Sequence, residues 1–456
     1  MSWFLRLSAM LWMVGVVNGV AGGEDLLQAG PMLGYAEKRE VMIWVQTKKA
    51  AEVRIRYWSL EAVKTQDQKK ISKISEPIRT AKESDFTAHI VLEALEPGTR
   101  YGYEIVLDGK TPTLPYANSF QTQALFEWRT DAPDFTLAFG SCLYVNDPPY
   151  DRPGRAYGNT SEIMRVIGNV KPDLMLWIGD NVYLREVDWN SRSGILYRNR
   201  HTRAIKELQP LLGNTHNYAI WDDHDFGPNN SDRSYAHKEH TLEAFKLYWA
   251  NPNYGLSESP GVFFQFEWQD IDFWMLDDRY HRAPDDMMDG PDKTMLGKTQ
   301  LQWLKDGLLF SNAPFKVIVC GNQVLNANTT YESYNFYKNE RADLLKFIKD
   351  NGITGVVFLS GDIHHTELLK WEDPNFYTLY DFTSSPLTSG ISSGDTVGTN
   401  PQLVDGTKIT DAHTFGVIRF SGKRKDRVMT METWDEHNKK RWSFSIHEND
   451  LHPAKK

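Results

Sequence analysis

The sequence predicts a layered α/β domain preceded by a small all-β sandwich domain. Within residues 25–125, short β-branched or aromatic runs such as VMIWVQT and FTAHIVL are separated by polar connectors, as the strands of a sandwich are. Within residues 131–456, apolar strand-like runs alternate with amphipathic helical patterns. A chain of 456 residues with 41% hydrophobic content can form more than one packed core.

One run of the all-β domain carries a specific turn signature. LEALEPGTRYGYEIVLDG places Pro-Gly-Thr ahead of a strand with a Tyr-x-Tyr sequence, and this resembles the corner of a fibronectin type III-like domain. In such a corner the tyrosine hydroxyl bonds to nearby backbone. We expect this domain to be a structural module, joined to the second domain by the linker QTQALFEWRTDAPD.

The α/β domain is predicted from continuous apolar runs, typical of buried strands, and from apolar residues at helical spacing. In chain order we expect the strand FTLAFGS, the helix TSEIMRVIGNV, the strand PDLMLWIG, the helical region RAIKELQPLLG, the strand HNYAIWD, the β runs GVFFQFEW and DIDFWMLDDR, the helix KTQLQWLKDGLLF, the strand FKVIVCG, the helix ERADLLKFIKD and the strand GVVFLSGD. From residue 376 the pattern returns to β, with FYTLYDFTS, TFGVIRFS, RVMTMETW and RWSFSIHE.

The N-terminus has the pattern of an export signal over residues 1–22. Arg6 is the only charged residue before Glu24, the run LSAMLWMVGVV is apolar, and small residues follow it near Ala21. The alternative is a membrane anchor, for which this run is short. No later segment is long and apolar enough to cross a bilayer, so we expect an exported protein that is periplasmic or secreted.

The formal charge of −9 argues against stable binding of nucleic acid or an anionic membrane, since both favour basic surfaces. An anionic substrate remains compatible with it, because a bound metal reverses the local field. The basic run YRNRHTR (197–203) is expected to form a solvated helix face, or else to guide an anionic substrate. The aromatic run NTTYESYNFYKNE is expected to be a surface loop, or to shape a substrate pocket.

The two cysteines, Cys142 and Cys320, allow two interpretations. In an exported protein a disulfide between them is the plain expectation. However, each follows an apolar strand-like run, so Cys320 also has the pattern of a buried strand residue. Cys142 lies in a strand-end loop, where its thiolate can serve as a metal ligand.

Polar side chains follow five of the predicted strands at the point where each strand ends. These residues are Ser141-Cys142, Asp180 to Tyr183, Asp222 to Asp225, Asn322-Gln323 and Asp362 to His365. In α/β sheets the carboxyl ends of the strands form the edge where sites assemble. Because most of these side chains are types that ligate metals, the pattern predicts a polynuclear metal site.

The residue types fit such a site. Clustered carboxylates repel one another and are costly to bury unless a cation compensates them. Asp180 is a candidate bridge between two cations, and the thiolate of Cys142 and the phenolate of Tyr183 suit a trivalent metal. Two adjacent cations polarise a phosphoryl group, and His224 and His365 are candidates for proton transfer or transition-state contact.

Five motifs occur in order along the chain: FGSC, GDNVY, WDDHDFGPN, LDDRYHR and SGDIHH. Together they resemble the PhoD-type alkaline phosphatase family, a branch of the calcineurin-like metallophosphatases, over about residues 135–390. The resemblance implies a layered metallophosphatase β-sandwich flanked by helices, with a β module before it. It also implies iron (Fe³⁺) on the Cys/Tyr/His side and calcium (Ca²⁺) at the neighbouring position, with other divalent metals as the alternative.

Matching the motifs residue by residue gives the implied site. The implied metal ligands are Cys142, Asp180, Tyr183, Asp223, Asn229, Asp362 and His364, and the implied catalytic residues are His224, Arg279 and His365. Asn230 is the alternative to Asn229. Arg279 is either a phosphate clamp or an ion-pair partner of Asp277 or Asp278, and His365 either acts in catalysis or only donates a hydrogen bond. Asp222 and Asp225 are expected to orient the other residues.

The sequence therefore predicts an exported, metal-dependent phosphoric ester hydrolase. The resemblance implies phosphomonoester or phosphodiester substrates, with His224 stabilising the transferring phosphoryl group. The alternative is a secreted surface-binding protein whose metal site is structural and not catalytic.

Overall fold

The computed structural model describes residues 26–327, 331–392 and 400–453. The predicted export signal, 1–22, lies outside these residues. In the N-terminal part the elements are β1 (Leu27–Ala36), β2 (Val41–Thr47), β3 (Glu52–Ser59), α1 (Gln68–Ile71), β4 (Lys73–Ile74), β5 (Ile78–Arg79), β6 (Thr87–Leu92), β7 (Arg100–Leu107) and β8 (Asn118–Gln121). They form one sheet of order β1-β2-β6 and a second of order β4-β3-β7-β8, in which β5 also pairs with β3.

The tyrosine corner predicted for this all-β region is present. The hydroxyl of Tyr101, on β7, accepts the backbone N–H of Glu96 at 2.9 Å. This bond fixes the loop that precedes the strand, as the Pro-Gly-Thr signature indicates.

The remaining elements build the α/β part. They are β9 (Phe135–Gly140), α2 (Ile163–Val170), β10 (Leu174–Ile178), α3 (Arg192–Arg203), α4 (Gln209–Asn214), β11 (His216–Ile220), α5 (Asp223–Phe226), α6 (Lys238–Tyr248), β12 (Phe264–Trp268), β13 (Ile271–Met275), α7 (Lys298–Phe310), β14 (Lys316–Val319), α8 (Lys338–Asp350), β15 (Val356–Ser360), β16 (Glu367–Trp371), β17 (Leu379–Thr383), β18 (Thr414–Lys423), β19 (Asp426–Asp435) and β20 (Lys440–His447). None of the described helices is both long and apolar enough to cross a membrane.

Two six-stranded sheets form the core of the α/β part. Their strand orders are β11-β10-β9-β18-β19-β20 and β12-β13-β14-β15-β17-β16. Phe139 on β9 packs edge-on against Phe382 on β17, with ring centroids 4.8 Å apart, so the two sheets share an apolar interior. Strands β9, β10 and β11 run parallel, as do β13, β14, β15 and β17. Parallel pairing brings the carboxyl ends of these strands to a common edge of each sheet.

The N-terminal sheets pack directly onto the α/β part. The indole N–H of Trp44 donates to the backbone carbonyl of Leu247 at 2.7 Å, and the backbone N–H of Ala36 donates to the Tyr218 hydroxyl at 3.1 Å. These bonds join β1 and β2 to α6 and β11.

Candidate metal centre

The loops after β9, β10, β11 and β15 bring metal-ligating side chains together in three overlapping groups. In each group the candidate ligand atoms all lie within 4.8 Å of one another. The first group is Cys142, Asp180 and His364, the second is Asp180, Asp223 and His224, and the third is Asp222, Asp223 and Asp362. Asp180 belongs to the first two groups, and Asp223 belongs to the last two. Shared carboxylates at this spacing can hold more than one cation.

The backbone at four of these residues is left-handed. Cys142, Asp180, Asp362 and His364 have φ angles of 62°, 52°, 70° and 56°. A residue other than glycine in this region costs on the order of 1 kcal/mol or more, and such residues cluster at functional sites. All four strained residues belong to the three ligand groups.

Cys142 lies at the centre of the first group. Its side chain is fully buried, its Sγ lies 3.6 Å from Asp180 Oδ2, and the Ser385 hydroxyl donates to this sulfur at 3.1 Å. Burial, with the nearby charge of Asp362, raises the pKa of the Cys142 thiol to about 11. A cation is therefore needed to hold this residue as a thiolate at neutral pH.

The expected disulfide is wrong. Cys142 and Cys320 are both free and buried, and Cys320 follows strand β14, where its Sγ lies 3.9 Å from Asp278 Oδ2. The two apolar runs that precede the cysteines belong to different sheets, which places each thiol at the end of its own strand.

Like charge is concentrated among the carboxylates. Burial, followed by the charges of Asp223 and Cys142, raises the pKa of Asp180 well above its usual range. Burial, with Glu332 and Asp223 adding to it, raises the pKa of Asp362 to about 7. Burial also opposes ionisation of Asp223, but His224 and Arg279 hold its pKa below its usual range. Such a cluster is favourable only when positive charge lies among its members.

Tyr183 and His224 lie beside this cluster. The Tyr183 hydroxyl is 3.4 Å from His364 Nε2, and its ring centroid is 4.3 Å from that of His224. The backbone N–H of His224 donates to Asp180 Oδ1 at 3.2 Å and to Asp223 Oδ1 at 2.9 Å. Burial lowers the pKa of His224, so its imidazole is neutral at neutral pH.

A cavity of about 530 Å³ opens onto the cluster. Its lining includes Tyr157, Asp223, His224, Asn229, Asn230, Glu332, Phe336, Asp362 and His364. Asn229 is exposed at this cavity, while the backbone N–H of Asn230 donates to Asp223 Oδ2 at 2.6 Å. Both asparagines thus lie beside the carboxylates, and the choice between their side chains stays a prediction.

Arg279 and His365 lie in places that favour the ion-pair and hydrogen-bonding roles over direct catalysis. Arg279 is fully buried, is not among the cavity-lining residues, and directs its guanidinium at Asp222 and Glu332. Arg279 Nε also lies 4.0 Å from Asp278 Oδ1, so the predicted ion pair with Asp278 is present. Asp222 and Glu332 are closer partners that the sequence did not predict. His365 is 4% exposed and lies 3.3 Å from Glu367 Oε2. A phosphate clamp would need donors directed at the cavity, so this geometry argues against that role for Arg279.

Two residues of the site were not among the predicted metal ligands or catalytic residues. Asp222 was expected only to orient its neighbours, yet one of its carboxylate oxygens lies within the third group. Glu332 comes from the aromatic run that was expected either to be a surface loop or to shape a substrate pocket. It is 7% exposed and lies on the cavity wall, which agrees with the second alternative. No spacing within that run distinguishes Glu332 from a solvated acid.

The facing mixed sheets, with acids and histidines on the loops at their carboxyl edges, define a metallophosphatase fold. The chain belongs to the PhoD-like phosphatase family, whose family model matches residues 152–431. A domain of unknown function, DUF7800, matches residues 24–125.

Individual proteins agree with this family. Alkaline phosphatase D of Bacillus subtilis (strain 168) is 25% identical to this chain over 381 residues. The match covers 70% of this chain and 61% of that protein, so the chain spans about three fifths of the length of this relative. A structure of PhoD superposes with a TM-score of 0.74 at 18% identity, covering 94% of this chain and 92% of the other.

A purple acid phosphatase from yellow lupin (Lupinus luteus) seeds has a TM-score of 0.63 at 11% identity, covering 94% of this chain and 76% of the other. At these identities the likeness to both solved structures shows the fold. It agrees with the layered α/β fold and the preceding all-β region that the sequence predicts.

Proposed function

We propose that the protein is an exported, metal-dependent hydrolase of phosphoric esters that acts on phosphomonoesters, phosphodiesters or both. The observation that carries this proposal is the overlap of the three ligand groups next to a cavity of about 530 Å³. A phosphoric ester is anionic, and a cavity walled by acids accepts an anion only when bound cations reverse the local field. We keep the domain division predicted from the sequence, with an export signal over 1–22, an all-β domain over 25–125 and a catalytic α/β domain over 131–456.

The donor set fits two kinds of cation. Cys142, Tyr183 and His364 offer a thiolate, a phenolate and an imidazole, which suit iron. Asp223, Asp362 and Asn229 offer oxygen ligands, which suit calcium, and Asp180 lies between the two sets. When bound, these metals supply Lewis acidity that polarises the phosphoryl group.

His224 is the proposed catalytic residue of the chain. Its main chain is held by Asp180 and Asp223, and its ring lies against Tyr183 and reaches the cavity. A neutral imidazole in this position can donate an N–H to a phosphoryl oxygen as negative charge develops there. Arg279 and His365 then act indirectly, by fixing the carboxylates of Asp222 and Glu367.

Hydrolysis of a chromogenic phosphomonoester and of the matching bis-ester, with and without a chelator, tests the proposal. We expect turnover of at least one ester, loss of it on chelation, and a fall of at least about 100-fold in Asp180→Asn and His224→Ala. Asp173→Asn is a matched control. Asp173 accepts the backbone N–H of Thr136 at the amino ends of β9 and β10, whereas the candidate ligands follow the carboxyl ends of these strands.

If the metal-replete protein turned over neither ester, the proposal would be wrong and the surface-binding alternative would gain. Turnover that survives complete metal removal would contradict the metal-dependent chemistry. Export is tested separately, by locating the protein and sequencing its N-terminus in the producing cell, where we expect the chain to begin after about residue 22.

A further inference from the structure

Five buried side chains form a closed ring of hydrogen bonds beside the third ligand group. Arg279 Nε donates to Asp222 Oδ1 at 2.5 Å, and both terminal nitrogens of Arg279 donate to Glu332, at 3.2 and 3.0 Å. Arg282 donates to Glu332 Oε1 at 2.7 Å and to Asn322 Oδ1 at 2.8 Å. Asn322 Nδ2 closes the ring by donating to Asp222 Oδ2 at 3.3 Å. None of the five residues is more than 7% exposed. We call this set the positioning ring.

The ring fixes which way the Asn322 amide faces. A guanidinium only donates hydrogen bonds, so the amide atom that faces Arg282 must be the oxygen. The amide nitrogen of Asn322 then faces the acids, at 3.3 Å from Asp222 Oδ2 and 3.5 Å from Asp362 Oδ2. An N–H can hold a carboxylate oxygen in place, but it cannot ligate a cation.

Acids and guanidinium groups alternate around the ring. Two carboxylates, Asp222 and Glu332, face two guanidinium groups, Arg279 and Arg282. Asp285, outside the ring, also pairs with Arg282 at 3.0 Å. Burial opposes ionisation of Glu332, but the two arginines hold its pKa well below its usual range. A buried, charged and bidentate arrangement of this kind resists rotation of its members, because each rotation leaves a charge without its partner.

We propose that Asn322, Arg282 and Glu332 are positioning residues of the metal centre, and that Asn322 is not a ligand within it. The amide N–H groups of Asn322 hold oxygens of Asp222 and Asp362, and Arg282 with Glu332 prevents the amide from turning. The ring thereby sets the affinity of the carboxylate group for its cation. This inference rests on the proposed function, because it assumes that the carboxylates hold a metal.

Calcium affinity of the full chain, stripped of metal and titrated with Ca²⁺ against a chromophoric chelator, tests this role. Glu332→Gln removes the charge that holds both arginines, and Arg282→Met frees the Asn322 oxygen. We expect both variants to bind Ca²⁺ about 10- to 100-fold more weakly than the wild type, as is usual for residues that orient metal ligands.

Glu432→Gln is the matched control for Glu332→Gln. Glu432 is also a buried glutamate that pairs with two cations, Arg419 and Lys440, but it has no bond to the positioning ring. We expect this control to lower the urea midpoint of unfolding without changing the calcium affinity. If the ring served folding alone, Glu332→Gln would also lower the urea midpoint and leave the calcium affinity unchanged.

The outcomes distinguish a failure of the positioning role from a failure of the proposed calcium site. Wild-type affinity in folded Glu332→Gln and Arg282→Met would overturn the positioning role, and tighter binding in Arg282→Met would make Asn322 a ligand. If Glu332→Gln does not fold, Arg282→Lys carries the test, because it keeps the charge but loses the planar fork that reaches both partners. We expect its affinity to be intermediate. A wild-type protein that binds no Ca²⁺ would overturn the calcium site itself.

Discussion

His216 links the N-terminal sheets to the α/β part, and we expect it to make the stability of the folded protein depend on pH. Its Nδ1 lies 2.9 Å from the carbonyl oxygen of Gly34 and its Nε2 lies 3.2 Å from that of Gln121. Burial lowers the pKa of His216 from 6.5 to about 4, although both carbonyl contacts oppose this shift. The unfolded chain therefore takes up a proton at a higher pH than the folded protein does.

The sign and the magnitude follow from this difference. A histidine with a lowered folded pKa contributes stability that is fully present above pH 6.5 and is lost as pH falls toward 4. At one pKa unit per 1.36 kcal/mol the full contribution is about 3 kcal/mol, of which about 2 kcal/mol is lost between about pH 7.5 and pH 5.

Urea unfolding of the wild type and of His216→Gln at these two pH values measures the effect. Glutamine keeps one donor and one acceptor but does not titrate, so the variant should lose about 2 kcal/mol less than the wild type over this interval. His437→Gln is the control, because the His437 side chain is 82% exposed. If the wild type and His216→Gln lost equal stability on acidification, burial of a neutral His216 would be refuted.

Three further results are expected. In Gly321→Ala the new Cβ would lie 2.7 Å from Asp278 Oδ2 and 2.9 Å from Asp222 Cγ. The free energy of unfolding should therefore fall by about 1 to 3 kcal/mol, and the metal content should fall with it. Wild-type values of both would contradict this packing. Cys142→Ala should lower bound iron measured by elemental analysis, whereas Cys320→Ala should not, and equal iron in both would remove Cys142 from the ligands. Unfolded protein without reductant should show two reactive thiols per chain, since both cysteines are free; zero would restore the disulfide.

Strand ends were the part of the site that the sequence could predict. Asp180 and Asp362 each follow a fully buried apolar strand, and in parallel sheets such residues lie at the carboxyl edge of their own sheet. This rule needs only the local pattern, and the structure brings both acids into ligand groups. The helical spacing of apolar residues is also a local pattern, and it predicts the helices Lys298–Phe310 and 340–350; in the structure the second helix begins two residues earlier, at Lys338.

Ion pairs between residues far apart along the chain were the part of the structure that the sequence could not predict. Arg279 keeps the predicted ion pair with the adjacent Asp278, at 4.0 Å. Its closer partners are Asp222 and Glu332, which lie 57 and 53 residues away along the chain. The basic run 197–203 was expected to be solvated, yet Arg198 is fully buried between Asp147 and Asp188. A charge pattern does not show whether a partner will arrive from another loop.

Elemental analysis of the purified protein, combined with its turnover of the chromogenic esters, tests the central claim most directly. We expect iron together with calcium in the active wild type, and loss of both metal and turnover in Asp180→Asn, since Asp180 is shared by two ligand groups. Zinc alone, or full turnover by protein that contains no metal, would contradict an iron and calcium centre at this edge of the sheets.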